Sequence, residues 1–141
     1  MEYELMDFDT KIVVKSEAKN RTDAKEKLDQ YLQSIGTEAK NYYYLEVFEK
    51  GQVSGALCMG EVSFEPEYNR KFRDRKLKGE RCLCFTMSEE EYLRASRGES
   101  SAFNDVMSYI KENSYRLKEM PFFEILDDPN SKTFKFYYLL K

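Results

Sequence analysis

The sequence predicts an α+β fold: two β-α-β-β repeats forming a curved antiparallel sheet, with helices on one face and a groove between the repeats. Three observations carry this. Moved forward by 78 positions (102 − 24), the segment Ala24–Phe48 lies without a gap on Ala102–Leu126. Ala24 then meets Ala102, Leu28 meets Val106, Tyr31 meets Tyr109, Leu32 meets Ile110, Lys40 meets Lys118 and Glu46 meets Glu124. Helical and strand periodicities agree at this one offset, the signature of an internal repeat. Finally, Tyr44–Phe48 lies over Phe122–Leu126, so each half carries a carboxylate in the middle of an apolar strand. The expected organisation is a single domain over 1–141. Its first repeat spans about 10–66, a basic connector about 67–79 and the second repeat about 80–141. One helix on three strands buries little core alone, so the two copies are expected to join edge to edge.

The elements follow in order. Lys11–Lys15 is short and β-branched and reads as a strand. Asn20 suits an N-cap, with Asp23 in the first turn favoured by the helix dipole. Ala24, Leu28, Tyr31, Leu32 and Ile35 recur at helical spacing until Gly36 supplies a stop. Tyr42–Phe48 and Ser54–Phe64 are strands joined by a turn at Glu49–Gln52, where Gly51 can take positive φ. Arg81–Met87 opens the second repeat. Ser88 and Glu91 form a capping box for a short helical turn through Leu93, an insertion relative to the first repeat. Phe103, Val106, Met107 and Ile110 are the stripe of the next helix. Phe122–Leu126, a turn at Asp127–Asn130 and Thr133–Leu140 close the chain.

Composition excludes several functions. The chain has 141 residues and a net charge of −3, which argues against a general nucleic-acid binder. The run Arg70–Lys78 is a local basic exception, read as a solvated connector or as a patch for an acidic protein partner. No apolar run approaches the ~18–20 residues of a membrane span, and Met1–Asp7 lacks a secretory pattern. Three cysteines, Cys58, Cys82 and Cys84, are too few and odd in number for a disulfide framework, so a reduced, cytoplasmic setting is expected. With no histidine, Ser–His and Cys–His nucleophilic machinery is excluded and no metal site is expected. No phosphate loop or dinucleotide fingerprint occurs, and no cofactor or catalytic residue is assigned.

The last third carries a resemblance. Phe103–Asn113, then Ser114-Tyr115, then Pro121-Phe122-Phe123-Glu124-Ile125 resembles the helix, "enGY" turn and "p-x-x-E-x-Y" strand of the GyrI-like family. That family, built from tandem SHS2 repeats, is the effector-binding domain of AraC-type and MerR-type multidrug regulators. The resemblance implies stand-alone binding of a small hydrophobic or cationic molecule, with Glu124 at the base of the pocket and no direct contact with DNA. Departures from the family pattern bear on ligand type. The chain has no Trp, Met87–Arg94 stands in place of a Gly-rich stretch, and Leu126 follows Ile125.

Alternation sharpens the candidate site. Phe122, Glu124 and Leu126 share one side of their strand, while Phe123 and Ile125 share the other. If the latter pack under helices, Glu124 points to the open face, where a carboxylate among rings can receive an organic cation. Glu46 is its expected repeat mate, with Tyr44 on the same side. Phe122, Tyr44 and Tyr138 are the candidate rings. Two readings compete with ligand binding: an interaction or inhibitory module using a strand edge or the basic connector, and a weak hydrolase dependent on Glu124.

Overall fold

The structure, a computed structural model, describes residues 2–128 and 130–141. Its elements run β1 (Glu4–Ala18), α1 (Arg21–Ser34), β2 (Tyr42–Glu49), β3 (Gln52–Val62), β4 (Asp74–Ser88), α2 (Glu89–Ser96), α3 (Ala102–Glu112), β5 (Phe122–Asp128) and β6 (Ser131–Leu140). Pro129, expected in the turn between the last two strands, lies outside the described residues. The fold is α+β, and no described helix is long and apolar enough to cross a membrane. The chain divides into two compact units. One holds Thr10–Glu49 and Val53–Lys78; the other holds Gly79–Lys141 together with residues 2–9 and Lys50–Gln52.

In the first unit the strand order is β1-β3-β2. β1 and β3 are antiparallel, with Ile12 opposite Val62 and Ala18 opposite Ala56. Asn20 caps α1 as expected, its side chain accepting from the Asp23 amide at 2.8 Å. Ala24, Leu28 and Leu32 form the buried stripe of α1. This stripe sits close to the sheet because β3 has no side chain at Gly60, where a Cβ would lie 2.9 Å from Leu28 Cδ2.

The second unit has the corresponding order, β4-β6-β5. Both ladders are antiparallel, with Leu83 opposite Tyr138 and Phe122 opposite Tyr137. Both helices cover one face. Tyr92 of α2 meets the rings of Phe123, Phe134 and Phe136 at 4.9–5.6 Å, and Phe103 of α3 meets Phe136 at 5.5 Å. The Ser88–Glu91 capping box forms with both hydrogen bonds present.

The 78-residue offset recurs in backbone hydrogen bonds. Thr37 N donates to Leu32 O at 2.9 Å, and Tyr115 N to Ile110 O at 3.0 Å. Lys40 N donates to Glu61 O, and Lys118 N to Leu139 O, both at 2.8 Å. Gly36 leaves α1 at φ +78°, and Ser114 leaves α3 at φ +58°. The buried stripes Ala24/Leu28/Leu32 and Ala102/Val106/Ile110 also correspond. The first strands correspond at a smaller offset: Val14 faces Gly60 and Leu83 faces Tyr138, an offset of 69 (83 − 14). The inserted helix α2, Glu89–Ser96, accounts for the difference.

Two strands outrun the expected bounds. β1 extends on both sides of Lys11–Lys15, and β4 begins at Asp74 rather than Arg81. The second half of the basic run is therefore strand rather than a solvated connector. Leu77 is fully buried, Lys15 N donates to Arg73 O at 3.0 Å, and Phe72 stacks on Tyr31 at 4.2 Å. Charged residues around one buried leucine hid this strand from hydropathy.

Candidate functional site

Residues directly opposite one another in an antiparallel ladder share a face. On β6, Phe134, Phe136 and Tyr138 therefore lie under α2 and α3, while Lys135, Tyr137 and Leu139 lie on the other face. Register then assigns the neighbours. Phe122 and Cys84 both face Tyr137, Glu124 faces Lys135, and Cys82 faces Leu139. The face of the second unit away from its helices thus carries Phe122, Glu124, Lys135, Tyr137, Cys82 and Cys84.

Three rings cluster there. Phe122 and Tyr137 stack at 5.5 Å, and Phe8 of β1 meets them edge-on at 5.9 and 5.6 Å. All three are buried, at 1%, 6% and 7% exposure for Phe122, Tyr137 and Phe8. Glu124 is half-buried and accepts a hydrogen bond from the Tyr137 hydroxyl. Lys135 Nζ lies 5.4 Å from the centroid of the Tyr137 ring, a cation–π distance. Beside them the Cys82 and Cys84 sulfurs are 3.5 Å apart. The Cys84 thiol is held below its usual range, first by the hydrogen bond from Cys82 and then by the Lys135 charge, against the effect of burial. That hydrogen bond, with burial behind it, raises Cys82.

Of the residues expected at the site, the structure brings Glu124 and Phe122 together. Tyr138 requires a correction. It is one residue out of phase, on the helix-covered face against Phe85 at 5.6 Å, and burial raises its hydroxyl pKa. Tyr137 is the tyrosine beside Glu124. Counting back from the ladder pair Asp128–Ser131 would have found it: each step back on β5 is one step forward on β6.

Glu46 requires the second correction. Arg21, the first residue of α1, reaches it with Nη1–Oε1 at 3.1 Å, and the Glu46 side chain is only 5% exposed. The Tyr42 hydroxyl donates to Asp29 of α1. Tyr42, Tyr44 and Glu46 alternate onto the α1 side, so Glu46 and Tyr44 face a helix where Glu124 does not. The reason is one added residue before β5. The burial sequence of β2, with Tyr43 and Tyr44 buried, then Leu45 and Glu46 half-buried, then Val47 exposed, recurs at Phe122–Leu126 with an offset of 79 (122 − 43). Leu45, not Glu46, is the counterpart of Glu124. Tyr44 is buried and its hydroxyl pKa raised, mainly by burial; burial likewise pushes the Cys58 thiol up to about 12.

Among the described residues no group of three or more His, Cys, Asp or Glu is placed to hold a metal ion. No protein-family model matches the sequence, and no curated protein does. Solved structures do match. EcmrR in complex with DNA superposes with a TM-score of 0.69 at 12% identity over 99% of this chain. The chain spans a little over half, 57%, of the EcmrR chain in that complex. The crystallised EcmrR C-terminal domain matches at 0.64 and 11% identity, covering 99% of this chain and 97% of that one. SAV2435 bound to tetraphenylphosphonium matches at 0.54 and 14% identity, over 100% and 94% of the two chains. The chain therefore has the fold shared by the EcmrR C-terminal domain and SAV2435.

Proposed function

We propose that this chain is an effector-binding domain of GyrI-like type, built from SHS2-like repeats, that binds small hydrophobic cations on the face of the second unit away from its helices. One observation carries the reading: a half-buried carboxylate, Glu124, gripped by the Tyr137 hydroxyl beside the rings of Phe8, Phe122 and Tyr137. Such a carboxylate supplies charge, and the rings supply apolar area and cation–π attraction of roughly 0.5–2 kcal/mol. Lys135, poised over the Tyr137 ring, is the resident cation that an organic cation displaces. The tetraphenylphosphonium complex of SAV2435, a protein of the same fold, supports this ligand class.

A thermal-shift titration with tetraphenylphosphonium and neutral triphenylphosphine oxide tests it, using wild type, Glu124→Gln and Tyr137→Phe. At ten times Kd, binding stabilises by about 1.4 kcal/mol, or roughly 4 °C for a chain of this size. The expected result is a shift with the cation alone, lost in Glu124→Gln and reduced in Tyr137→Phe. No shift in folded wild type overturns the proposal.

A second reading keeps one specific observation. Arg70, Lys71, Arg73, Lys76 and Lys78 are exposed in a chain of net charge −3. As an interaction module the protein would bind acidic peptides such as fluorescent polyglutamate, and reversing the charges of Arg70, Lys71 and Arg73 would abolish that binding.

A further inference from the structure

Helix α3 has a second face with no part in the cation site. Ala102, Val106 and Ile110 form its buried stripe. At 3.6 residues per turn, Asn104, Met107, Ser108 and Lys111 fall together on another side. With Tyr115 and Leu117 from the segment after the helix, they line an open, mostly apolar groove of about 530 Å³. That size lies within the ~300–1,000 Å³ of small-molecule sites. Backbone bonds hold its far wall: Tyr115 N donates to Ile110 O at 3.0 Å, and Lys118 N to Leu139 O and Lys141 N to Arg116 O, both at 2.8 Å. Leu117 also bridges to Leu140 of β6. The wall is in place without a ligand, which lowers the ordering cost of binding.

The charge of the groove is one-sided. Lys111 is exposed and forms no ion pair among the described residues. The acids of α3, Asp105 and Glu112, lie about 90–110° round the helix from the middle of this face. The Arg81 guanidinium lies 5.1 Å from the centroid of the Tyr115 ring, and Arg116 and Lys118 flank Leu117 in the chain. At the negative end of the helix, the carbonyls of Tyr109, Ile110 and Lys111 accept from the amides of Asn113, Tyr115 and Ser114. This blunts their repulsion of an anion.

The occupant follows from these features. Among the described residues, Met107 is the one exposed large apolar side chain that lines the groove. A protein interface of about 800 Å² per partner needs a broader apolar centre; a small ligand does not. A thioether beside a tyrosine ring favours an aromatic guest. We propose that this groove binds flat aromatic carboxylates, with the rings on Met107, Tyr115 and Leu117 and the carboxylate on Lys111. Glu124 lies on the sheet face away from the helices, so this site stands or falls separately from cation binding.

Titration of 2-naphthoate into protein with isotope-labelled methionine methyl groups, followed by NMR, tests the proposal. The Met107 resonance is assigned from Met107→Leu. It should move saturably while those of Met59 and Met87, both buried, stay in place. Lys111→Gln should raise Kd about two- to fivefold, the scale of an exposed ion pair, and Lys111→Glu should raise it further. The neutral 2-naphthalenemethanol should bind more weakly than the acid, and Glu124→Gln should leave naphthoate binding unchanged. The proposal is overturned if Met107 shows no saturable movement, if Lys111→Glu binds as wild type does, or if the alcohol binds equally well. Movement of the Met107 resonance on dilution of the unliganded protein would assign the groove to a second copy of the chain and overturn it as well.

Discussion

Replacing Gly60 by alanine isolates the packing of α1 on its sheet. The new Cβ would lie 2.9 Å from Leu28 Cδ2, 3.1 Å from Ala39 Cβ and 3.6 Å from Leu32 Cδ1. Leu28 and Leu32 are buried, so the Leu28 methyl has little room to turn aside, and Ala39 Cβ can move only with its backbone. Overpacking of this kind costs about 1–3 kcal/mol. Removing a glycine from the unfolded chain returns about 0.4–1 kcal/mol. The net expectation is a loss of about 1–2 kcal/mol, a fall in Tm of roughly 3–6 °C. Gly55→Ala on the same strand is the control, because its Cβ would meet only Ala18 O, at 3.9 Å, an ordinary contact. It should be neutral or stabilising by a few tenths of a kcal/mol. Urea denaturation of both variants, with m-values compared, gives the measurement. Equal stability of the two would refute the close approach of α1 to β3. Recovery of part of the loss in Gly60→Ala/Leu28→Val would identify Leu28 as the atom in the way.

Stability should decline in alkali through Cys58. Its folded pKa of about 12 lies above the 9.0 of an unperturbed thiol, so the unfolded chain releases the proton first as pH rises past 9. Each unit between the two values removes about 1.4 kcal/mol, and urea midpoints of Cys58→Ala should fall less steeply over this window than those of wild type. Arg21→Met should cost about 2–4 kcal/mol by removing the guanidinium that pairs with the buried Glu46 carboxylate, and Arg21→Met/Glu46→Leu should recover most of it; a double-mutant cycle without coupling would sink the assignment. Ser88→Ala should cost about 1 kcal/mol by removing the cap of α2, measurable as a lowered urea midpoint with an unchanged m-value.

The repeat was legible because its evidence is local. Helical stripes, caps and turns depend on neighbours a few positions away, and Ala24/Leu28/Leu32 and Ala102/Val106/Ile110 carry their burial in their spacing. The strand bounds were less so. β4 opens through Asp74–Lys78, where the buried Leu77 sits among charged residues, and no window average distinguishes that from a solvated run. Ser114 takes the left-handed conformation that Gly36 takes in the first half, a substitution that hides the matching helix end. For the site, Glu124 and Phe122 could be placed on one face from alternation alone. Tyr137 and Lys135 required the hairpin register, and Phe8 required a tertiary contact from the other end of the chain.

The two strand carboxylates show how little separates a structural residue from a candidate ligand-binding one. From the C-terminal ends of α1 and α3 to Lys40 and Lys118 the halves keep the same offset, bond for bond. One further residue before β5 turns that strand over relative to β2, because the side-chain period of a strand is two. Glu46 consequently faces α1, where Arg21 neutralises it and offsets the cost of burying the carboxylate. Glu124 is turned away from the helices of its unit and meets a tyrosine hydroxyl, which holds a carboxylate without cancelling its charge. The cation nearest to Glu124 in the ladder, Lys135, sits over the Tyr137 ring, from which an incoming cation can displace it, whereas Arg21 is paired directly with Glu46. The difference in partner, more than the shared position in an apolar strand, is why Glu124 and not Glu46 is the residue on which cation recognition is expected to depend.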